Sequence, residues 1–299
     1  MADYHVSVLL EESVNALKTR PEGTYIDVTF GAGGHSRSIL KNLNAKGRLF
    51  GFDQDADVLP NVPEDNRFEL VSSNFRFIAR FMDWYGVGSV DGILADLGVS
   101  SHQLDFPERG FSFRYDAELD MRMNAEMTTK AADVLRHYRE EELIRMFSDF
   151  GEVRNARQLS RAIIKARTSA EIRTTFMLNQ ILEITAIGPK PKYFAQVYQA
   201  LRMEVNDEIG ALRDMLKAGL SLLKPGGRFV VITYHSIEDR QVKNFFKTGR
   251  FDGIMEKDEY GRIFRPFDLL DKKVFVPEEK EIIKNPRARS AKMRVVEKI

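Results

Sequence analysis

The stretch Tyr25-Ile-Asp-Val-Thr-Phe-Gly-Ala-Gly-Gly-His35 runs from a short apolar strand through Asp27 into a turn carrying Gly31, Gly33 and Gly34. Glycine lets a backbone approach a ligand closely and adopt conformations that other residues resist. A helix is predicted to follow over residues 36–43. The next apolar run, residues 48–53, ends on Asp53. An acid at the end of a second strand, about twenty residues beyond a glycine turn, is placed to hold the hydroxyls of a ribose. Together these features predict a nucleoside-cofactor site.

The spacing narrows the cofactor. Nicotinamide dinucleotides use G-x-G-x-x-G, whose glycines admit a pyrophosphate onto a helix N-terminus. This chain has Gly31-Ala-Gly-Gly-His35, with no glycine at the third position. S-adenosylmethionine has a ribose, an adenine and a charged amino acid but no pyrophosphate. Its positive groups tolerate the carboxylates Asp27 and Asp96. The glycine turn alone is also what any α/β protein uses for a tight turn, and Asp27 and Asp53 raise it above that. A second discriminating stretch is Leu223-Lys-Pro-Gly-Gly-Arg228, followed by the apolar run 229–233. It is a helix stop and a turn, and late in an α/β chain it resembles the turn before the fifth strand of class I methyltransferases.

At 299 residues the chain can bury a full core and hold more than one domain or a large insertion. Its 45 basic and 44 acidic residues nearly cancel, so any attraction to nucleic acid must come from local patches. There is no cysteine, which excludes disulfides, thiolate zinc sites and a cysteine nucleophile. The histidines, His5, His35, His102, His137 and His235, show no metal-ligand spacing. No secretory signal and no apolar run of membrane-spanning length is visible, so a soluble, cytoplasmic protein is expected.

Strands are predicted near residues 25–29, 48–53, 68–71 and 92–97, with helical stretches between them, including 75–85. This alternation predicts a parallel sheet covered by helices on both faces. The pattern breaks from about residue 104 to residue 192. Candidate helices there are 130–137, 140–150, 155–165 and 175–185. Such a length is too great for a structureless loop, so a helical subdomain is inferred. The expected organisation is a first sheet part over 1–104, a substrate-binding helical insertion over 105–192, and a second sheet part over 193–299. Residues 187–193, with Gly188, Pro189 and Pro191, read as the hinge back. A helix over 207–223 and last strands at 272–276 and 293–296 complete the pattern.

Asp96 closes the fourth strand in Asp96-Leu-Gly-Val-Ser-Ser-His-Gln103. The ends of strands one, two and four meet at the topological switch point of an open sheet, where ligands bind. Capping a loop is the bland alternative for Asp96. Gln103 can donate or accept, and His102 reads as a loop residue. Phe75 begins the helix after the third strand, where core packing and stacking on adenine compete evenly. Tyr234-His-Ser-Ile-Glu-Asp-Arg240 follows the fifth strand, although Ser236, Glu238 and Asp239 also make an ordinary helix start.

Two stretches are basic. Arg154, Arg157, Arg161, Lys165, Arg167 and Arg173 have only Glu171 among them, beside an apolar face of Leu159, Ile163 and Ile164. Near the C-terminus Arg287, Arg289, Lys292 and Arg294 occur with no acid between them. Exposed charge is usually only solvated, but two acid-poor patches in a nearly neutral chain point to a phosphate backbone. Arg109-Gly-Phe-Ser-Phe-Arg-Tyr115 adds aromatics between arginines, suited either to stacking on an extruded base or to anchoring a loop in the core.

These pieces together resemble one family, the bacterial small-subunit (16S) ribosomal RNA cytosine-N4 methyltransferases, RsmH/MraW. The blocks that carry the resemblance are His5-Val-Ser-Val-Leu-Leu-Glu-Glu12, residues 27–36, Asp91-Gly-Ile-Leu-Ala-Asp-Leu-Gly-Val-Ser-Ser101, Glu108-Arg-Gly-Phe-Ser-Phe113, Leu119-Asp-Met-Arg-Met123, Gln199-Ala-Leu-Arg-Met-Glu-Val-Asn206, His235-Ser-Ile-Glu-Asp-Arg240 and Asn285-Pro-Arg-Ala-Arg-Ser290. They span nearly the whole chain. The resemblance implies a class I, Rossmann-like sheet with an inserted helical subdomain. It also implies S-adenosylmethionine as methyl donor, and as acceptor the N4 amine of a cytidine in the decoding region of 16S rRNA within the small ribosomal subunit. By the same resemblance Gly33, Gly34, His35, Asp53, Phe75, Asp96 and Gln103 line the cofactor site. Two departures are Ala32, where relatives often carry a larger basic residue, and the segment 252–273, which matches little.

The cytosine amine is a weak nucleophile because its lone pair is delocalised into the ring. Catalysis must orient it and stabilise the charge that develops on nitrogen. Asp96 is the first candidate for that role and His235 the second, with no metal required for the chemistry. Arg109, Arg157, Arg161, Arg287 and Arg289 are the candidate RNA contacts. A Rossmann oxidoreductase and a non-catalytic RNA-binding protein on the same fold are the alternative readings.

Overall fold

The computed structural model describes residues 7–257, 259–261, 265–270 and 274–299, apart from the side chains of Ser101 and His102. His5 and part of the expected strand 272–276 lie outside the described residues. The chain forms two compact units, Met1–Gly98 with Ile209–Ile299, and Val99–Glu208.

Among the described residues the first unit is built on seven strands: β1 (Thr24–Asp27), β2 (Arg48–Asp53), β3 (Phe68–Ser72), β4 (Val90–Asp96), β5 (Leu223–Thr233), β6 (Phe267–Leu269) and β7 (Lys292–Lys298). They lie in the order β3-β2-β1-β4-β5-β7-β6. β1 to β5 are mutually parallel, whereas β7 runs antiparallel to both β5 and β6. The parallel strands are apolar on both faces, as helices above and below require. Ile26, Leu49, Phe52, Ile93, Leu94, Phe229 and Val231 are each fully buried. The helices are α1 (Leu10–Leu17), α2 (Gly34–Lys41), α3 (Ile78–Trp84), α10 (Glu208–Leu222), which begins at the boundary, α11 (Ser236–Thr248) and α12 (Glu279–Lys284). This is the Rossmann-like α/β sheet expected from the sequence. The differences lie at its late edge. β5 starts at Leu223, ahead of the Pro-Gly-Gly turn, and the register against β4 shifts between Val90 and Gly92. The sixth strand is at 267–269, earlier than expected.

The second unit is helical: α4 (Ser101–Asp105), α5 (Ala131–His137), α6 (Glu140–Gly151), α7 (Ala156–Arg167), α8 (Thr175–Thr185) and α9 (Lys190–Val205). Its only strand-like feature among the described residues is an isolated bridge between Glu118 and Thr174. Its core gathers Leu143, Phe147, Leu159, Ile163, Leu178, Leu182, Val197 and Leu201, all fully buried. The expected hinge at 187–193 is instead the start of α9. Pro189 is its N-cap and Pro191 lies in its first turn, where a missing N–H costs nothing because that donor has no intrahelical acceptor. The unit therefore ends at Glu208 and not at residue 192, and it begins at Val99 and not at residue 105.

One close approach fixes the packing of α10 on the sheet. A Cβ on Gly219 would fall on the Phe229 ring, 2.8 Å from its Cζ. Gly219→Ala would gain about 1 kcal/mol of helix propensity. The overlap outweighs that gain, and a net loss of about 1–2 kcal/mol is expected in urea unfolding. Unchanged or increased stability would show that α10 can shift off β5.

Candidate active site

Parallel strands bring their C-terminal ends to one edge. β1 lies between β2 and β4, with Asp27 in register with Gly51 on one side and Leu94 on the other. Asp53 and Asp96 each lie two residues further along. Three neighbouring strands thus end on three acids at the switch point of the sheet, where open α/β folds hold ligands. The chain beyond β1 is stitched alternately to both neighbours. Val28 N–H donates to the Leu94 carbonyl and Phe30 N–H to the Phe52 carbonyl, each at 2.9 Å. Asp96 N–H donates to Thr29 Oγ1 at 2.7 Å, and Gly31 N–H donates to Asp53 Oδ2 at 2.9 Å.

Glycine is required in this turn. Gly31 and Gly33 have φ of +50° and +74°, in the left-handed region. A Cβ on Gly33 would also lie 2.9 Å from the Phe30 ring, and one on Gly34 would fall on the Ser7 hydroxyl. Gly33 is the N-cap of α2, and its carbonyl accepts from Arg37 N–H.

Each acid has a distinct setting. Asp27 is fully buried, accepting from the Ser36 hydroxyl at 2.7 Å and from Thr29 N–H at 3.2 Å. It holds the glycine turn to α2 and has no exposed surface for a ligand. Asp53 is partly exposed, and its Oδ1 accepts from Asp55 N–H at 2.9 Å. Asp96 keeps about a fifth of its side chain exposed, and its Oδ1 accepts from the Tyr234 hydroxyl at 2.7 Å. Burial pushes all three carboxyls up to about 6, and nearby acids add to the rise at Asp53 (Asp55, then Asp27) and at Asp96 (Asp27, then Glu238). Hydrogen bonds to the ionised forms oppose the rise without cancelling it.

His35, in the first turn of α2, is buried, and its Nε2 lies 3.2 Å from the Val8 carbonyl. Desolvation lowers its pKa, so at neutral pH the ring is uncharged and donates to Val8 through Nε2. Nδ1 then presents a lone pair 4.0 Å from Asp96 Oδ2. Two acceptors facing each other at that distance suit a donor or a cation.

The other candidates fall into distinct groups. Phe75 is partly exposed at the start of a 3-10 turn after β3, whose neighbour β2 ends on Asp53. Asn74 beside it donates to Gln54 Oε1 at 2.9 Å, tying the two strand ends together. His235 is the N-cap of α11, with Nδ1 accepting from Glu238 N–H at 3.4 Å and Nε2 lying 3.1 Å from Glu238 Oε1 at a poor angle for a hydrogen bond. Gln103 belongs to the helical unit. Its N–H donates to Ser100 Oγ and its Oε1 accepts from Ser100 N–H, both at 3.1 Å, forming a reciprocal cap on α4. The Ser-x-x-Gln spacing carried that signal in the sequence.

The arginines separate more sharply. Arg109 is turned inward, donating to the Arg122 and Met123 carbonyls at 2.7 and 2.9 Å, with its guanidinium 5.5 Å from the Phe111 ring centre. These contacts are those of the loop-anchoring alternative for this stretch, and Arg109 is half-buried. Arg161 pairs with Glu140 of α6 at 2.9 Å, so an acid distant in sequence supplies the partner. Arg157 is exposed and forms no ion pair among the described residues. Arg287 and Arg289 are exposed on a 3-10 turn at 286–290. Arg294 is bound to Asp239 through two hydrogen bonds of 2.7 and 3.1 Å, and Lys292 lies 3.8 Å from the same acid. The C-terminal basic run is therefore partly neutralised.

The donor set distinguishes the two cofactor classes. A pyrophosphate at this glycine turn would meet the part-exposed carboxylates of Asp53 and Asp96 with Asp27 buried behind them, whereas a ligand with a ribose and cationic groups would find acceptors. S-adenosylmethionine fits these residues. Asp53 would hold its ribose, Gly33 and Gly34 would admit its amino-acid end, Phe75 would face its adenine, His35 would accept from its ammonium, and Asp96 would line the site beside them. The sheet and this site define an S-adenosylmethionine-dependent methyltransferase of class I.

Comparison with known proteins reaches the same class and narrows it. The profile of the MraW methylase family matches residues 2–299. "Ribosomal RNA small subunit methyltransferase H" of Parabacteroides distasonis is 53% identical over 298 residues, covering 99% of this chain and 98% of its own. Proteins of the same name from Flavobacterium johnsoniae and Christiangramia forsetii are 51% and 48% identical, with coverage of at least 98% of both chains for the first and 99% for the second. The chain belongs to the MraW methylase family. Neither the oxidoreductase nor the non-catalytic reading is favoured.

Asp53→Ala is expected to weaken S-adenosylmethionine binding by about 1.5–3 kcal/mol in calorimetry, the range for hydrogen bonds to a charged group. Unchanged affinity removes Asp53 from the site. The wild type is expected to lose affinity as pH falls through about 6, because the raised carboxyls protonate there and cease to attract a cation. Affinity independent of pH down to 5 would contradict the carboxylate account of the site.

Proposed function

We propose that this chain transfers a methyl group from S-adenosylmethionine to the N4 amine of a cytidine in the decoding region of 16S rRNA, within the small ribosomal subunit. It acts in the cytoplasm and needs no metal for the chemistry. The observation that carries this reading is Asp96, a part-exposed carboxylate at the end of β4, fixed by Tyr234 and close to the glycine turn. The full-length relatives bear the name of a small-subunit rRNA methyltransferase. No helix among the described residues is long and apolar enough to cross a membrane.

The choice of nitrogen over ring carbon follows from composition. Methylating cytosine at C5 requires a nucleophile to add to the ring and activate that carbon, a task suited to a thiolate. This chain has no cysteine. An exocyclic amine requires only orientation and an acceptor for its protons.

When bound, S-adenosylmethionine supplies an electrophilic methyl on a sulfonium. The protein's part is to place the amine and to manage its charge. Asp96 accepts a hydrogen bond from the amine, which aims its lone pair and stabilises the positive charge that grows on nitrogen. That nitrogen sheds a proton readily once charged, so a weak base is enough. Asp96 Oδ2 is the acceptor, because Oδ1 already receives the Tyr234 hydroxyl. His235, next to Tyr234, is the second candidate, but its Nδ1 accepts from Glu238 N–H and its Nε2 is buried, so its part is to hold the start of α11 beside the site and not to take a proton.

RNA binding is assigned to exposed cations. Arg157 on α7 is the best-supported contact, and Arg287 and Arg289 offer a second patch. Arg161 contributes less, since Glu140 competes for its guanidinium.

Labelled methyl transfer to small ribosomal subunits tests the reading, and absence of label in the RNA would overturn it. Asp96→Asn keeps the shape and loses the charge. Its single-turnover rate at saturating cofactor should fall more than its cofactor affinity. If affinity falls and that rate does not, Asp96 only binds. Arg157→Gln should leave cofactor affinity intact, lower RNA affinity, and reduce the slope of log affinity against log salt by about 0.7–0.9. A full wild-type slope would remove Arg157 from the interface.

A further inference from the structure

Tyr234 follows β5, the neighbour of β4, and reaches across to the acid that ends β4. Its hydroxyl donates to Asp96 Oδ1 at 2.7 Å, while its own N–H donates to Glu238 Oε2 at 3.1 Å. The ring is laid against the chain just past Asp96. A Cβ built on Gly98 would stand 3.4 Å from Tyr234 Cδ2, and Gly98 has φ of +100°, which L side chains rarely adopt. Thr29 holds the other side through the Asp96 N–H. The carboxylate is therefore clamped at its backbone and at one oxygen, with Oδ2 turned to His35.

We propose that Tyr234 is a positioning residue for methyl transfer: its hydroxyl holds Asp96 Oδ1 so that Oδ2 alone meets the substrate amine, and it keeps the carboxylate in its charged form. The proposal rests on the reading of Asp96 as the amine acceptor. A single bond to one oxygen removes the rotational freedom that would otherwise exchange Oδ1 and Oδ2, and orientation of this kind contributes to rate and not to ground-state affinity.

The electrostatic surroundings make the hydroxyl consequential. Asp96 is faced by His35 from α2, by Asp27 at the end of β1, and by Glu238 from α11, as well as by Tyr234. Two of those are acids that oppose its ionisation, and the neutral His35 ring offers no positive charge at neutral pH. Tyr234 in turn faces Asp96, Glu238 and Glu281 from α12, and burial among these acids raises its pKa far above the ordinary phenol range. It stays a hydrogen-bond donor throughout the working pH range and never becomes a base.

Tyr234→Phe removes one oxygen and leaves the ring against Gly98. At saturating cofactor the expected result is a single-turnover rate lower by about tenfold, the effect of one charge-assisted hydrogen bond. Cofactor affinity should stay within about threefold, since the ring and backbone that shape the site remain. The acid limb of the pH–rate profile should move to higher pH, because the lost donor favoured the charged carboxylate. A merely structural tyrosine would lower the melting temperature and leave that limb in place, and this outcome overturns the proposal. The Asp96 carboxyl can also be titrated directly by carbon-13 NMR in the apoprotein, assigned through Asp96→Asn. That measurement needs no RNA. An upward shift in Tyr234→Phe without any methyl transfer by the wild type would refute the proposed substrate and keep the coupling. Active wild type with an unshifted carboxyl would refute the coupling alone. Should Tyr234→Phe fail to fold, Tyr234→Leu carries no side-chain donor, does not enlarge the site, and is read by the same titration.

Discussion

Three carboxylates crowded at the ends of adjacent parallel strands are the constraint around which this protein is arranged. Burial at this edge penalises ionisation, and Asp27, Asp53 and Asp96 are each pushed up to about 6. They are tolerated because each is supplied with donors. Ser36 and Thr29 serve Asp27, Gly31 and Asp55 serve Asp53, and Tyr234 serves Asp96. Supplying those donors fixes the path of the chain. The glycine turn must take left-handed conformations to present Gly31 N–H to Asp53, and α2 must begin at Gly34 to bring Ser36 to Asp27. The residual unfavourable charge is an attraction for a cationic ligand and a barrier to an anionic one. Cofactor choice thus follows from strand order as much as from any individual contact.

The helical unit spends much of its basic side-chain content on its own structure. The helical unit closes its own core around Phe147, Leu159 and Leu201 and stitches its long loop with Arg109, Arg122 and Asn206. Arg167 caps the end of α5 by donating to the Leu135 and Tyr138 carbonyls at 2.7 and 2.8 Å. Several arginines that look available in sequence are therefore structural. What remains exposed and uncompensated is a smaller set than composition implies, with Arg157 foremost.

The parts of this account that were legible in sequence are those written in local pattern. β2 was read to the residue, and β1, β3 and β4 to within two residues at each end, because alternating apolar runs between turns leave little freedom. Asp53 and Asp96 were visible because a strand ending on an acid is itself a local pattern. Long-range partners were not visible. Glu140 neutralises Arg161 from another helix, and Asp239 takes Arg294 from across the sheet edge. α9 was hidden because two prolines at its start read as a break, and the same prolines are compatible with a first turn. The importance of Tyr234 was hidden too, since its hydroxyl meets Asp96 only once β5 lies beside β4.

The central claim is that this carboxylate-lined site directs a methyl group to an exocyclic amine and to no other position on the RNA. The most direct measurement is chromatography of nucleosides from small-subunit RNA after reaction with labelled S-adenosylmethionine and this protein. The account predicts label in N4-methylcytidine alone. Label in 5-methylcytidine or in a ribose methyl would contradict it, because neither product carries the methyl on the exocyclic amine that Asp96 is proposed to orient.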